Sequence, residues 1–257
     1  MSEHVKVSNA GGRLDIVLAR PDRRNAITIA MYAAMAEAIE GANADGSDTR
    51  LITLSGEGVD FTAGNDLMDF MQEMPKPGEE VDIPVWRFLR AMATNRVPVL
   101  AKAHGNAIGI GTTMLFHCDL VIAAEDTRFK MPFTELGLVP EAASSLILPE
   151  LAGRRAAARY LLLGDSFGAA EAKAIGLLSH VAPHDALDEK FDAIAATILS
   201  RPPEAMRQTQ ALLRKVDTGR ILERMTLENG KFAERLASDE LKGAIAAFFA
   251  ARGGGAG

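Results

Sequence analysis

Three stretches of the chain hold residue types that could do chemistry. The first is Gly105-Asn106-Ala107-Ile108-Gly109-Ile110-Gly111-Thr112-Thr113. Glycines let a ligand come close to the backbone and leave N–H groups free at a helix start. A dinucleotide fingerprint would need a glycine where Met114 stands, and a P-loop would need Gly-Lys-Ser/Thr, which is missing here. Two readings are left. An N–H such as that of Ile110 faces an oxygen that gains negative charge during a reaction, or the glycines serve a tight turn with close helix–strand packing. The second stretch is Phe61-Thr62-Ala63-Gly64-Asn65-Asp66-Leu67. Small residues between Phe61 and Leu67 again suggest exposed N–H groups, while Asp66 suits the start of a following helix. The third runs from Met131 to Ser145 and holds Glu141 among Leu138, Val139, Pro140 and Ala142. A carboxyl in apolar surroundings has its pKa raised, which suits proton transfer near neutral pH. The alternative is a helix-start acid held by the helix dipole.

The elements that must position these stretches alternate. Short runs rich in Val, Ile and Leu at Leu14–Ala19, Leu51–Leu54, Val97–Ala103 and Asp119–Ala123 predict buried strands. Helices are predicted between them at Met31–Ala42, capped by Thr28, and at Val85–Thr94, preceded by Pro84. Strand, helix, strand, helix is an α/β pattern. After about residue 145 the chain reads as helical, at Arg155–Leu163, Gly168–Ala174 and Ala186–Leu199. Beyond Pro202 and Pro203 come Glu204–Val216, Gly219–Leu236 and Asp239–Ala251, with Ser238 starting the last. Ile221, Met225, Phe232 and Leu236 follow the helical period. This divides the chain into a core over residues 1–200 and a helical region over 201–257 that must pack on the core or on another subunit. The stretch 72–82, with Pro75, Pro77 and Gly78, reads as a surface loop.

Composition sets limits on function. The 257 residues are 48% hydrophobic and 24% charged, which is globular. With 28 basic and 34 acidic residues the net charge is −6, so nucleic acid is not the expected partner. Cys118 is the single cysteine, which excludes an internal disulfide and a cysteine-cluster metal site. Residues 1–7 carry Glu3, His4 and Lys6 and no apolar run, and 107–118 is too short for a bilayer span of roughly 20 residues. A soluble, cytoplasmic chain without a membrane partner is the expectation.

Taken together, the motifs resemble the crotonase (enoyl-CoA hydratase/isomerase) superfamily. Arg20-Pro21-Asp22-Arg23-Arg24-Asn25-Ala26-Ile27 is similar to that family's R-P-x-x-x-N-A-L stretch near coenzyme A, and 61–67 to its F-x-A-G-x-D-L. Val97-Pro98-Val99 through Gly111, then Cys118-Asp119, is similar to its K-P-V…G-x-G…C-D block. The resemblance implies a spiral of ββα turns with a C-terminal helical region that drives trimerisation, as a homotrimer or a dimer of trimers. It implies an acyl-CoA thioester substrate, with coenzyme A part of that substrate and no separate cofactor or metal. The backbone N–H groups of Asn65 and Ile110 would form an oxyanion hole. Arg23, Arg24, Ala26, Ala63, Asp66 and Leu67 would contact the coenzyme A portion. The family's two hydratase acids fall on Thr113 and Phe133, so both are missing. Glu141 remains, in a Pro-Phe-x-x-Leu-Gly-x-x-Pro-Glu stretch similar to that of Δ3,Δ2-enoyl-CoA isomerases, where that Glu is the base. The expected reaction is the shift of a 3-enoyl-CoA double bond to 2-enoyl-CoA. The alternatives are hydration with a single Glu and a non-catalytic acyl-CoA-binding homologue. His104 and His117 flank the glycine-rich block without a motif partner and read as solvated or core histidines rather than catalytic ones; the resemblance gives Glu135 no role, which leaves it a backup base. Met68, Phe70, Met71, Met74, Trp86 and Leu89 line an acyl tunnel or fill the core.

Overall fold

The computed structural model describes residues 2–69, 83–214 and 218–253. Phe70, Met71, Met74, the stretch 72–82 and Val216 lie outside the described residues. Six strands form one sheet in the order β1 (Val5–Ala10), β2 (Arg13–Leu18), β3 (Leu51–Gly56), β4 (Val99–Ala103), β6 (Leu120–Ala124) and β9 (His180–Ala182). β1 pairs antiparallel with β2, and every later pairing in the sheet is parallel. A second sheet holds β5 (Asn106–Ile108), β7 (Arg128–Lys130) and β8 (Phe167–Gly168). From β4 to β5 and from β6 to β7 the chain steps from the large sheet to the small one and then enters helix, the repeat of a ββα spiral.

Burial explains why the four predicted strands were readable. β3 is buried at Leu51 through Ser55 because helices cover both of its faces. Ile52 and Leu54 join the main core, with the helices Ile29–Ala42 and Pro84–Thr94, while Leu51 faces a smaller core under the helix Leu187–Ser200. A strand covered on both sides reads as a continuous apolar run. β1, β5, β7, β8 and β9 escape the sequence reading, since they are short or polar. β1 is Val-Lys-Val-Ser-Asn-Ala with only Val5 buried.

The helices fall where the period places them, with ends shifted by one or two residues. Thr28 caps Ile29–Ala42, its side chain accepting from the Met31 N–H. The helix Ser144–Ala152, which carries Pro149 in its interior, has no counterpart in the apolar period. The C-terminal helices Pro203–Arg214, Thr218–Leu236 and Asp239–Gly253 pack on the body: Met225, Phe232, Leu241 and Ile245 sit in the main core. Arg214 clamps this region down by pairing with Asp119 at 3.0 Å and donating to the His117 carbonyl. No helix among the described residues is long and apolar enough to cross a membrane.

Candidate active site

Two loops from different turns of the spiral are laid side by side by backbone pairing. Thr62 bridges Ala107 in parallel: the Thr62 N–H donates to Asn106 O at 3.0 Å and the Ile108 N–H to Thr62 O at 3.1 Å. Three residues on from each bridge partner come Asn65 and Ile110. Each follows a glycine in a left-handed conformation, Gly64 at φ 91° and Gly109 at φ 57°. Gly64 is obligatory for space as well, because a Cβ there would stand 2.7 Å from the Ile108 carbonyl oxygen. The amides of Asn65 and Ile110 find no acceptor among the described residues. Both residues line a cavity of about 560 Å³. Two uncommitted N–H donors from adjacent loops suit an oxygen that develops negative charge.

Glu141 lines the same cavity. It is 4% exposed, and its Oε1 has no hydrogen-bond partner among the described residues. Burial, and then the charge of Glu228, push its pKa up to about 8. The turn behind it is unusual: Ala142 and Ala143 are both left-handed, at φ 60° and 56°. Non-glycine residues hold that conformation only where their surroundings enforce it. The His117 Nε2–H donates to the Ala142 carbonyl at 2.9 Å, and the Glu228 carboxylate accepts from the N–H groups of Ala143 at 2.6 Å and Ser145 at 2.9 Å. Ser144 Oγ donates to the Glu141 carbonyl at 2.6 Å. Burial lowers the His117 pKa to about 4, which keeps its ring neutral near pH 7. Phe133, Leu136, Leu138 and Phe232 supply apolar wall to the same cavity.

The nine residues singled out from sequence — Arg23, Arg24, Ala26, Ala63, Asn65, Asp66, Leu67, Ile110 and Glu141 — all line this cavity. They differ in how free they are. Asp66 is committed: Arg20 pairs with it at 2.8 Å, and its Oδ1 accepts from the Met68 and Asp69 N–H groups. Those bonds offset burial and hold its pKa below the ordinary value. Glu135 is paired with Lys130 at 2.9 Å. Arg23 and Arg24 stand exposed at the rim, Arg24 3.7 Å from Asp60. His104 is a buried residue whose Nε2 meets the Gly58 carbonyl. Met68 lines the cavity, but Leu89 and Trp86 pack in or against the core, away from it. Of the two alternatives, tunnel or core, these two take the core, because the apolar face of Pro84–Thr94 points at Ile29–Ala42.

Two residues escaped the sequence reading. Tyr32, fully buried, donates its hydroxyl to Asn65 Oδ1, and burial together with the Glu141 charge raises its pKa. Glu228, 5% exposed, is the second. A signal existed for each. Tyr32 adjoins Met31 within the Met31–Met35–Ile39 period. Glu228 stands three residues after Met225 and four before Phe232, an acid on an otherwise apolar stripe.

With this geometry in place, residues 10–253 match the family model described as Enoyl-CoA hydratase/isomerase. Among curated relatives, the chain is 33% identical over 217 residues to Enoyl-CoA delta isomerase 2 of Rattus norvegicus. That match covers 83% of this chain and 55% of the relative, so the chain spans about half the relative's length. It is 30% identical over 248 residues to 1,2-epoxyphenylacetyl-CoA isomerase of Escherichia coli, covering 94% of this chain and 93% of that protein. The crystal structure of an enoyl-CoA hydratase/isomerase from Pseudoalteromonas atlantica T6c superposes with a TM-score of 0.91 at 39% identity, covering 96% of this chain and 97% of that one.

Proposed function

The chain belongs to the enoyl-CoA hydratase/isomerase family, and we propose that within it the protein moves the double bond of a 3-enoyl-CoA to the 2-position. Glu141, as the carboxylate, takes a proton from C2 of the thioester. The electron pair delocalises into the carbonyl, and the N–H groups of Asn65 and Ile110 hold the resulting oxyanion. The protonated Glu141 then gives the proton to C4, and the C3–C4 double bond becomes C2–C3. No water is consumed, so one carboxyl serves for both transfers.

One observation carries the reading. Among the described residues four acids line the cavity: Asp66 and Glu135 are held in ion pairs, Asp22 is exposed at the rim, and of these four Glu141 alone is buried with an oxygen free of described partners. Thr113 and Phe133 occupy the positions of the two hydratase acids. A raised pKa suits a group that must both take and return a proton near neutral pH. Hydration with a single Glu is the alternative, in which Glu141 would have to activate a water. A thioester panel separates the two, comparing 3-hexenoyl-CoA isomerisation with crotonyl-CoA hydration and following deuterium at C2 and C4 by mass spectrometry. Isomerisation with exchange at both carbons supports the proposal; hydration without isomerisation overturns it.

Binding of the anionic coenzyme A portion by Arg23, Arg24 and the backbone around Ala26, Ala63 and Leu67 is part of the same proposal, as is assembly into a homotrimer or a dimer of trimers. Leu162 and Leu163, each 67% exposed, are apolar surface that an interface would cover. Light scattering reads the assembled mass.

A further inference from the structure

The turn Ala142–Ser145 is held from outside its own loop, and the strongest hold comes from the C-terminal helical region. Glu228, on the helix Thr218–Leu236, accepts from two backbone N–H groups within three residues of one another, at Ala143 and Ser145. Arg224, one turn earlier on the same helix, donates to Ser145 Oγ at 3.2 Å. Arg235 donates to the Gly137 carbonyl at 2.9 Å, at the far end of the loop that leads to Glu141. An acid on the buried face of a helix is costly unless it is bonded. Here both of its oxygens are bonded to the one segment whose consecutive left-handed alanines need enforcing.

We propose that Glu228 is a positioning residue for Glu141, coupling the C-terminal helix to the catalytic base by fixing the turn that follows it. The proposal rests on the reading of Glu141 as the base. A second consequence comes from charge. Among the described residues, Glu228 and Tyr32 interact electrostatically with Glu141, and Glu141 and Arg224 with Glu228. Burial raises both carboxyls, but the N–H bonds favour the ionised form of Glu228, whereas the Glu141 Oε1 has no donor. Glu228 therefore carries the negative charge, and Glu141 is the member of the pair that holds a proton. Removing that charge makes Glu141 a stronger acid and a weaker base.

The test compares Glu228→Gln and Glu228→Asp with the wild type. It uses amide hydrogen exchange at residues 142–145, the pH profile of kcat, and KM. Glu228→Gln keeps the shape but loses the charge and one acceptor. It is expected to speed amide exchange at Ala143 and Ser145, to lower kcat about tenfold at KM within twofold, and to move the acid limb of the profile to lower pH. Glu228→Asp keeps the charge, so the acid limb stays while exchange still quickens. If the Gln variant fails to fold, the Asp variant must show quickened exchange with a smaller kcat loss; an Asp variant that matches wild type in both overturns the proposal. A Gln variant with kcat within twofold of wild type overturns it, as does a kcat loss that leaves both exchange and the acid limb unmoved. Should the wild type catalyse neither isomerisation nor C2 proton exchange on acyl-CoA, the functional reading is what has failed. Amide exchange in the variants then decides the positioning role by itself.

Discussion

Replacing Glu141 by Gln separates the cost of this site from its use. The carboxyl is 4% exposed and its pKa rises from 4.5 to about 8. A carboxyl whose folded pKa lies above its unfolded value contributes fully to stability below the unfolded value and loses that contribution as pH rises through the folded one. By this linkage the rise corresponds to about 5 kcal/mol, of which about 3 kcal/mol is lost between pH 6 and pH 9. Gln has the shape of the protonated acid and no charge to bury. Glu141→Gln is therefore expected to gain stability over wild type as pH rises. The melting gap between the two should widen by about 6–12 °C from pH 6 to pH 9, given about 2–4 °C per kcal/mol for a chain of this size. In the same variant turnover should fall by about 10²–10⁴, the usual worth of a positioned acid/base, while acyl-CoA still binds. Wild-type kcat should climb with pH, with a midpoint near the Glu141 pKa. Scanning calorimetry across pH and a 3-hexenoyl-CoA assay check both halves. A melting gap constant with pH would show that Glu141 is not the buried proton carrier described here, and unchanged turnover would remove it as the base.

Other perturbations probe the rest of the site. Gly64→Ala puts a Cβ 2.7 Å from the Ile108 carbonyl at a φ of 91°; it should cost about 1–3 kcal/mol in urea unfolding and lower kcat at least tenfold by moving the Asn65 N–H, and a neutral result would contradict the close packing of the two loops. Tyr32→Phe leaves Asn65 Oδ1 without its donor; a loss of about 1 kcal/mol in stability and a drop of about three- to tenfold in kcat are expected from equilibrium unfolding and steady-state kinetics. Arg23→Ala with Arg24→Ala should raise KM for acyl-CoA with kcat unchanged, and the effect should fade in high salt and vanish for an N-acetylcysteamine thioester, which has no phosphates. An equal change with the truncated thioester would place the two arginines elsewhere in the chemistry.

What could be read in the sequence and what could not follow from how each residue is constrained. β3 and β4 were legible because both faces are largely buried, so Leu51–Leu54 and Val97–Ala103 are mostly apolar, broken only by Thr53 and Lys102. β5 and β7 have three residues each, and β8 two. Their pairing across the small sheet, not their composition, makes them strands. The loops that hold Asn65 and Ile110 were legible through glycine, since Gly64 and Gly109 adopt backbone conformations that side chains resist. Trp86 and Leu89 were ambiguous because an apolar face has the same residues whether it meets a ligand or another helix.

The sequence by itself determined the strand–helix alternation, the two glycine-marked loops, the absence of acids at Thr113 and Phe133, and the single carboxyl in an apolar run at Glu141. These are local properties, written in residue types a few positions apart. Tertiary structure decided the rest. It set the Asn65 and Ile110 amides beside one cavity through the Thr62–Ala107 bridge, and it took Asp66 out of play by pairing it with Arg20. It brought Tyr32 and Glu228 to the site from distant helices. The physical reason is that the strength of a base depends on what surrounds it in space. For Glu141 the charge that helps raise its pKa lies 87 positions along the chain, at Glu228, and no pattern local to either residue records that they meet.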